Sequence, residues 1–291
     1  MHLQRPVIAR RHSILPCWDP FFGPLDSVPR LCVRGGARVN HPGGVENEAR
    51  PVSPFFSYSI APVTTPTQVV LFDLDDTLTD RRVSLHRYVA RLVTDYAAKL
   101  GPTELAAALA VVDKVDENGY APRARVFEAL QRGLQWRATP ELGELAEHWE
   151  RWFPFSTVLR PGALEMLQVL RDAGYPLGLV TNGPIKLQQA KIDCVGIAPL
   201  LSAIVISEEV GCHKPDARVF LRALEKLSRR AEGAWFVGDH PRNDILGAAA
   251  VGLKPIWLAG IHEWPAGTAM CGIRVDTLEE ALREIITSGG Q

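Results

Sequence analysis

The sequence predicts an α/β fold in which a doubly wound parallel sheet carries an inserted helical domain. After Arg160-Pro161-Gly162, short apolar runs alternate with helical patterns, as in parallel sheets with helices on both faces. Before that segment, residues 84–155 show helical patterns and almost no strand signal. Polar and acidic residues directly follow several of the apolar runs, at the sheet edge where open α/β proteins bind ligands.

The first strand is predicted at residues 69–72, where a continuous apolar run is typical of a buried parallel strand. The region that follows is rich in good helix formers. Its helices are predicted at residues 92–100, 104–112, 124–134 and 141–152. We interpret this region as a separate helical domain inserted after the first strand.

The alternating region supplies the rest of the predicted sheet. Its strands are predicted at residues 177–180, 203–206, 234–237 and 255–258. Its helices are predicted at residues 163–173, 185–194, 216–227, 244–251 and 278–286. The chain therefore divides into an extension at 1–66, a core formed by 67–80 and 157–291, and an inserted helical domain at 81–156.

The extension, residues 1–66, is predicted to be disordered. It holds ten of the 22 prolines and no lysine, and it shows no sustained helical or strand period. Transit peptides also have an arginine-rich start, but Pro6 and Pro16 interrupt the amphipathic helix that such a peptide needs. An upstream start codon, which adds residues without a selected role, is a third interpretation.

Composition favours a small-molecule partner. The chain has 32 Lys+Arg against 33 Asp+Glu, so no overall field attracts nucleic acid or an anionic membrane. The five cysteines are scattered without a CxxC pair, which argues against a disulfide framework or a zinc knuckle. No apolar run approaches the ~20 residues that cross a bilayer. We expect a cytoplasmic protein that binds neither nucleic acid nor membranes and is a monomer or homodimer.

The first strand ends in Asp73-Leu74-Asp75-Asp76-Thr77. Side chains i and i+2 share a face of a strand, so Asp73 and Asp75 are expected to project together. Two close carboxylates repel each other unless a cation compensates, and oxygen ligands suit Mg²⁺. The alternative interpretation is an acidic turn, since Asp is common in turns. Three further segments favour a functional site.

Two further strands end in groups that suit a phosphate. The strand at 177–180 is followed by Thr181-Asn182-Gly183, whose hydroxyl and backbone amides can hold a phosphate oxygen. After the strand at 203–206, Lys214 precedes Pro215, a favoured first residue of a helix. A lysine there can neutralise a carboxylate and a transferring phosphoryl group. Taken alone, Thr181-Asn182-Gly183 is more often a turn, and Lys214 is more often a solvated surface residue. Their order along the chain, after the acidic segment, is what favours a phosphate site.

The fourth segment follows the strand at 234–237 and contains Asp239 and Asp244. Asp239, directly after a strand that ends in glycine, is the better candidate for a metal ligand. Asp244 is either a second ligand or a helix cap. His213 and His240 are neighbours of these residues in sequence, but adjacency at a strand end often means opposite directions in space, so neither is assigned a role.

Together, the four segments resemble the four motifs of haloacid dehalogenase (HAD) superfamily phosphatases, from about Gln68 to the end of the chain. The resemblance implies that Asp73 is the nucleophile and that Asp75 is the general acid and base. The implied phosphate site consists of Thr181, Asn182, Gly183 and Lys214. The implied Mg²⁺ cofactor is held by Asp73, the backbone carbonyl of Asp75, Asp239 and Asp244, the last directly or through water.

The expected activity is hydrolysis of a small phosphorylated metabolite through an aspartyl-phosphate on Asp73. Asp75 favours this reaction over carbon–halogen cleavage, because true dehalogenases of the superfamily need no acid at that position. Thr181-Asn182-Gly183 followed by Leu187-Gln188-Gln189 looks most like bacterial 5'-nucleotidases. Sugar-phosphate, phosphoglycolate and flavin-pathway phosphatases share nearly the same core. A non-catalytic interaction protein is the last alternative, but it has no chemical reason to keep a repulsive acidic cluster.

The inserted domain resembles the α-helical cap of the same superfamily, which closes over the site and selects the leaving group. Substrate selection is therefore expected to reside in it. The candidate contacts are Arg81, Arg82, His86, Arg123, Arg125 and Trp136. For each of them, a solvated arginine or an aromatic residue of the domain core is the commoner role.

Overall fold

The sheet is the frame of the protein, whose computed structural model describes residues 68–289. In that range six strands, all paired in parallel, lie in the order β3-β2-β1-β4-β5-β6. The strands are β1 Val70–Phe72, β2 Leu177–Thr181, β3 Ala203–Ile206, β4 Trp235–Gly238, β5 Lys254–Leu258 and β6 Ile273–Val275. The strand order reverses at β1, which opens a crevice at the carboxyl ends of β1, β2 and β4. The predicted doubly wound sheet is confirmed, whereas the interpretation of residues 1–66 as disordered lies outside the described residues.

Ten α-helices accompany the sheet in the described part of the chain. The helices that follow β1 directly are α1 Arg81–Asp95, α2 Leu105–Val115, α3 Arg123–Gly133 and α4 Leu142–Trp152. The later helices are α5 Ala163–Asp172, α6 Ile185–Val195, α7 Ser207–Val210, α8 Ala217–Lys226, α9 Gly247–Ala250 and α10 Leu278–Gly289. None of the helices between residues 68 and 289 combines the length and the apolar character needed to cross a membrane.

The central strand β1 is buried on both faces because helices cover both sides of the sheet. Val70 and Phe72 belong to an apolar cluster with residues of α5 and α10, whereas Leu71 belongs to a second cluster with residues of α8. This alternation follows from the two-residue period of a strand. Burial on both faces explains why β1 reads as a continuous apolar run rather than an alternating one.

The helices α1 to α4 enclose an apolar core of their own, separate from the two clusters on the sheet. Tyr88 of α1 is fully buried there and packs edge-on against Trp149 of α4, with 4.7 Å between the ring centroids. Trp149 in turn stacks on Phe153, which begins the return of the chain to the sheet. Edge-on and stacked aromatic contacts add to the stabilisation from burial alone.

The helix predicted at residues 92–100 begins and ends earlier in the structure, because α1 spans Arg81–Asp95. The carboxylate of Asp80 accepts a hydrogen bond from the backbone N–H of Val83, which is an N-cap that starts the helix. This capping signal lies at the end of the acidic segment, in which roles were predicted from the sequence only for Asp73 and Asp75. The helix buries Leu85, Tyr88, Val89 and Leu92 along one face.

Two shorter elements also differ from prediction. The helix predicted at 244–251 begins earlier, as a π-helical turn Pro241–Leu246 that continues into α9. A Cβ on Gly238 would lie 2.5 Å from the Cβ of Asp244, so glycine allows this turn to fold against the end of β4. The edge strand β6 was not predicted, because three residues are too few to carry a periodic signal.

Leu145→Ala should lower the free energy of unfolding by about 2–5 kcal/mol, because Leu145 is 0% exposed in the core of α1 to α4. Leu142 lies on the same helix and is 37% exposed, so Leu142→Ala is the matched control and should cost less than about 1 kcal/mol. Urea-induced unfolding of both variants measures the difference. Equal losses would contradict the packing of α4 described above.

Candidate active site

A cavity of about 260 Å³ lies at the carboxyl edge of the sheet, between the strand ends and the segment that contains α1 to α4. From the sheet side it is lined by Asp73, Asp75, Asp76, Thr181, Asn182, Gly183, His213, Lys214, Asp239, Asn243, Asp244 and His262. From the helical segment it is lined by Arg81, Asn118, Gly119 and Tyr120. All of the core residues that the sequence proposed for the site therefore line one cavity.

Three buried acids meet at the bottom of this cavity. One carboxylate oxygen from each of Asp73, Asp239 and Asp244 lies within 4.8 Å of the others. Asp73 and Asp239 directly follow the neighbouring strands β1 and β4, and the backbone N–H of Asp73 continues their ladder by donating to Val237 at 3.0 Å. Asp244 comes from the π-helical turn, and its Oδ2 accepts the backbone N–H of His240 at 3.0 Å.

Lys214 is the buried cation of this group, with only 4% of its surface exposed. Its Nζ lies 2.5 Å from Oδ1 of Asp73 and 2.7 Å from Oδ1 of Asp244. Burial alone would lower the pKa of Lys214, but attraction to Asp244 and Asp73 outweighs it and raises the pKa. The lysine therefore keeps its charge beside the two acids.

One lysine does not balance three buried carboxylates. Burial raises the pKa of Asp73 to about 7 in spite of Lys214, and Asp244 adds to this rise. Burial, followed by the charges of Asp244 and Asp73, also raises the pKa of Asp239 well above its ordinary value. Clustered carboxylate oxygens with unbalanced charge are the donor set that a hard divalent cation prefers. The residues present thus fit Mg²⁺.

The carboxylate of Asp75 is not part of this three-acid group, although it lines the same cavity. Both of its oxygens accept hydrogen bonds from Lys191 Nζ, at 2.9 and 2.8 Å, and Oδ2 also accepts one from Gln188 Nε2 at 3.0 Å. Burial would raise the pKa of Asp75, but the charges of Lys191 and Arg81 outweigh it and lower the pKa to about 2. The two acids of the first segment are therefore shifted in opposite directions.

The segment after β2 is tied to the segment that carries Lys214. The side-chain amide of Asn182 donates to the carbonyl of Lys214 at 3.1 Å and accepts its backbone N–H at 2.8 Å. The backbone N–H of Gly183, which was proposed to bind phosphate, donates instead to Ser207 Oγ at 2.9 Å. Thr181 Oγ1 accepts a bond from Gln188 Nε2 at 2.6 Å, so the hydroxyl retains its own proton to donate to a ligand.

A rigid turn of the helical segment forms the roof of the cavity. Asp116 accepts two hydrogen bonds from Arg81, at 3.1 and 2.8 Å, and a third from Arg123 at 2.8 Å. The next three residues, Glu117, Asn118 and Gly119, all have positive φ. A Cβ on Gly119 would lie 2.4 Å from Arg81 Nε, so only glycine allows the turn to rest on this guanidinium.

Most of the proposed substrate contacts of the helical segment have structural partners instead. Only Arg81 lines the cavity among the six candidates, and it also holds the turn. The others pair as follows: Arg82 and His86 with Asp113, Arg123 with Asp116, Arg125 with Glu117, and Trp136 with the carbonyl of Leu130. Their side chains are therefore engaged within the segment itself.

Sequence reasoning missed the residue that bridges the turn and the core. The ring of Tyr120 lies 5.1 Å from that of His240 and 5.4 Å from that of His262, and its hydroxyl oxygen accepts a bond from Asn243 at 3.2 Å. The only signal in the sequence was the Asn118-Gly119 pair, which is typical of a turn with positive φ. Such a pair does not reveal that the turn faces a site.

The comparison with known families decides where the chain belongs. The sequence model described as haloacid dehalogenase-like hydrolase matches residues 67–252. The chain belongs to this family. Among HAD relatives, it is 32% identical over 195 residues to the glyceraldehyde 3-phosphate phosphatase of Pyrococcus abyssi, which covers 65% of this chain and 80% of the relative.

Two other relatives match over shorter stretches. The phosphoserine phosphatase of Thermus thermophilus is 40% identical over 139 residues, which is 47% of this chain and 54% of the relative. The pyrimidine 5'-nucleotidase YjjG of Escherichia coli is 38% identical over 111 residues, which is 38% of this chain and 49% of the relative. The chain thus matches only about half the length of these two proteins.

Solved structures of HAD proteins share the fold. The HAD-hydrolase YfnB of Bacillus subtilis, solved with bound magnesium, has a TM-score of 0.60 at 22% identity and covers 75% of this chain and 98% of that chain. The HAD phosphatase of Thermococcus onnurineus has a TM-score of 0.51 at 24% identity and covers 75% of this chain and 97% of that chain. At these identities, the likeness establishes the fold alone.

Without a divalent cation, Asp73 should contribute a loss of stability as the pH rises from about 6.5 to 8. Asp73 has a pKa of about 7 in the folded state against an ordinary value of 3.8, so the folded state holds a proton that the unfolded chain has already lost. Stability from that proton disappears as the pH rises through about 7. Burial lowers the pKa values of His148, His240 and His262, and these shifts act in the opposite direction, because the unfolded chain, with an ordinary imidazole pKa of 6.5, loses these protons over the same range. The contribution of Asp73 is therefore measured as the difference between the wild type and Asp73→Asn.

Mg²⁺ should therefore raise the melting temperature more at pH 8 than at pH 6.5, because it competes with the proton for the three acids. Thermal unfolding with MgCl₂, against KCl at matched ionic strength as the control, measures both effects. A magnesium shift of equal size at the two pH values would contradict the proton competition. No shift at either pH would contradict the cation site.

Proposed function

We propose that the protein is a magnesium-dependent phosphatase that hydrolyses a small phosphorylated metabolite through an aspartyl-phosphate intermediate. The observation that carries the proposal is the position of Asp73, which follows the central strand, contacts Lys214 at 2.5 Å and lies within the three-acid group. A carboxylate in this place can act as the nucleophile while neighbouring positive charge offsets that of the phosphoryl group.

The reaction needs two proton transfers, and Asp75 is the group proposed for both. In the first step, an oxygen of Asp73 bonds to phosphorus, the ester P–O bond breaks, and the proton of the Asp75 carboxyl group passes to the departing alkoxide. In the second step, Asp75 takes a proton from water, whose oxygen bonds to phosphorus. The acyl-phosphate bond then breaks, which restores the carboxylate of Asp73 and releases inorganic phosphate.

The remaining site residues hold the phosphoryl group. Lys214 supplies a fixed positive charge, and the hydroxyl of Thr181 is free to donate to an equatorial oxygen. Bound by Asp73, Asp239, Asp244 and the backbone carbonyl of Asp75, Mg²⁺ would offset the repulsion of the acids and the charge that develops on the phosphoryl oxygens. The backbone N–H of Gly183 would bind phosphate only after leaving Ser207.

The substrate is proposed to be small. A cavity of about 260 Å³ lies below the range of about 300–1,000 Å³ that is usual for drug-sized ligands. The names of the relatives support short sugar phosphates, phosphoserine and nucleoside monophosphates as candidates. A nucleoside monophosphate is the first choice from the sequence motifs, and a sugar phosphate or a phosphoglycolate-type substrate is the alternative. The presence of Asp75 supports phosphate ester hydrolysis over dehalogenation.

Residues 81–156 are proposed to form the cap over a core made of residues 67–80 and 157–291. The separate apolar core of α1 to α4 and the turn at Asn118-Gly119-Tyr120 support this division. The cap would exclude water during the first step and select the leaving group through the turn.

Asp73→Asn should lower the magnesium-dependent hydrolysis of p-nitrophenyl phosphate at least about a thousandfold, because the amide cannot form the covalent intermediate. Asp276→Asn, which changes an exposed aspartate paired with Arg274, is the matched control and should leave turnover unchanged. Steady-state assays at saturating Mg²⁺ compare the two variants. Substantial turnover by Asp73→Asn would show that the nucleophile lies elsewhere.

Tyr120→Ala should change the ranking of substrates, because it removes a side chain that lines the cavity beside His240 and His262. We expect relative kcat/KM values among glyceraldehyde 3-phosphate, phosphoserine and uridine monophosphate to shift by about tenfold. Hydrolysis of p-nitrophenyl phosphate should change much less. Arg125→Gln in the same segment, whose partner Glu117 is also exposed, should leave the ranking unchanged. An equal loss for every substrate would mean that Tyr120 only excludes water.

A further inference from the structure

Two buried residues of α6 hold the carboxylate of Asp75, and the reaction described above assigns them no part. Gln188 and Lys191 are 2% and 5% exposed, and their spacing of three residues places them on one face of the helix. Lys191 contacts both oxygens of Asp75 at 2.9 and 2.8 Å. The amide nitrogen of Gln188 donates to Asp75 at 3.0 Å and to the hydroxyl of Thr181 at 2.6 Å.

This arrangement is unusually specific for a pair whose role is stability alone. Burial of a lysine is costly, and an apolar residue of similar volume often replaces a buried ion pair without loss of stability. The surroundings of Lys191 are apolar on one side, where its Nζ lies 5.4 Å from the centroid of the Phe153 ring. The backbone at Gly183 also leaves room for Gln188, since a Cβ on Gly183 would lie 2.9 Å from Cγ of Gln188.

We infer that Lys191 and Gln188 are positioning residues, which hold the carboxyl group of Asp75 beside the phosphate-binding hydroxyl of Thr181 and thereby at the bridging oxygen of the substrate. The inference rests on the proposed function, because it assigns the orientation of the group that transfers the protons. The amide of Gln188 is the link, since one nitrogen spans Asp75 and Thr181. Lys191 prevents rotation of the carboxyl group, since it contacts both oxygens.

A positioning role makes the effect of a variant depend on the leaving group. The alkoxide of glycerol 3-phosphate is strongly basic and needs the proton of Asp75 as it departs. The nitrophenolate of p-nitrophenyl phosphate is weakly basic and departs without that proton. Release of the phosphate from Asp73 needs Asp75 as a base for either substrate. Misplacement of Asp75 should therefore slow formation of the aspartyl-phosphate from glycerol 3-phosphate but not from p-nitrophenyl phosphate. It should slow hydrolysis of the aspartyl-phosphate for both esters.

The test compares full-length wild type and Lys191→Met, which keeps an unbranched side chain but removes the charge, at saturating Mg²⁺. We expect kcat/KM for glycerol 3-phosphate to fall about 10²–10³-fold, the range of general acid catalysis. For p-nitrophenyl phosphate, kcat/KM should fall less than about fivefold, whereas kcat falls and a burst of nitrophenolate precedes the steady state. The ratio of the two kcat/KM values does not depend on the folded fraction of the variant.

Two further variants complete the test. Lys191→Arg retains the charge and both contacts to the carboxylate. The ratio of kcat/KM for glycerol 3-phosphate to kcat/KM for p-nitrophenyl phosphate should therefore return close to the wild-type value. Lys186→Met changes a lysine of the same helix that is 78% exposed, and it should leave kcat/KM unchanged for both esters. Equal losses for the two esters would overturn the inference in favour of a structural role, and faster hydrolysis of glycerol 3-phosphate would show that Lys191 restrains Asp75. If the wild type hydrolyses neither ester, the proposed function itself fails.

Discussion

The mutual repulsion of buried carboxylates at the carboxyl edge of the sheet is the constraint on which the rest of the site depends. Asp73, Asp239 and Asp244 meet there because parallel strands and the turn after β4 end at the same edge. Lys214 offsets part of their charge and is itself placed by the reciprocal hydrogen bonds with Asn182. The negative charge that Lys214 does not offset favours the binding of either protons or a divalent cation. The ionisation of the three acids and the binding of metal are therefore coupled equilibria.

A second group of charges fixes the roof of the cavity. Asp116 is shared by Arg81 and Arg123, which leaves one positive charge more than negative charge beside the turn. Three consecutive residues with positive φ are costly outside glycine, and they persist because these ion pairs and the close contact with Gly119 over-determine the backbone. The turn therefore presents a fixed backbone surface to the cavity.

The sequence was sufficient to predict the site residues whose positions follow from the strand ends alone. Each of the four segments starts at the carboxyl end of a strand, so the topology of the sheet brings the segments to one edge without further information. Lys191 and Tyr120 could not be found in this way. Lys191 reaches Asp75 only because α6 packs against the segment that follows β1, and Tyr120 meets His262 only when the helical segment lies over the sheet. Such contacts arise from tertiary packing, which has no signature in a single sequence.

The opposite pKa shifts of Asp73 and Asp75 show what binding must accomplish. In the absence of ligands, Asp73 has a pKa of about 7 and Asp75 a pKa of about 2. The proposed nucleophile must be ionised and the proposed acid protonated, which is the reverse order. A cation beside Asp73 would lower its pKa, and the negative charge of a phosphate ester near Asp75 would raise that of Asp75. Metal and substrate together would thus favour an ionised Asp73 and a protonated Asp75. Lys191 opposes the protonation of Asp75, because its positive charge stabilises the carboxylate.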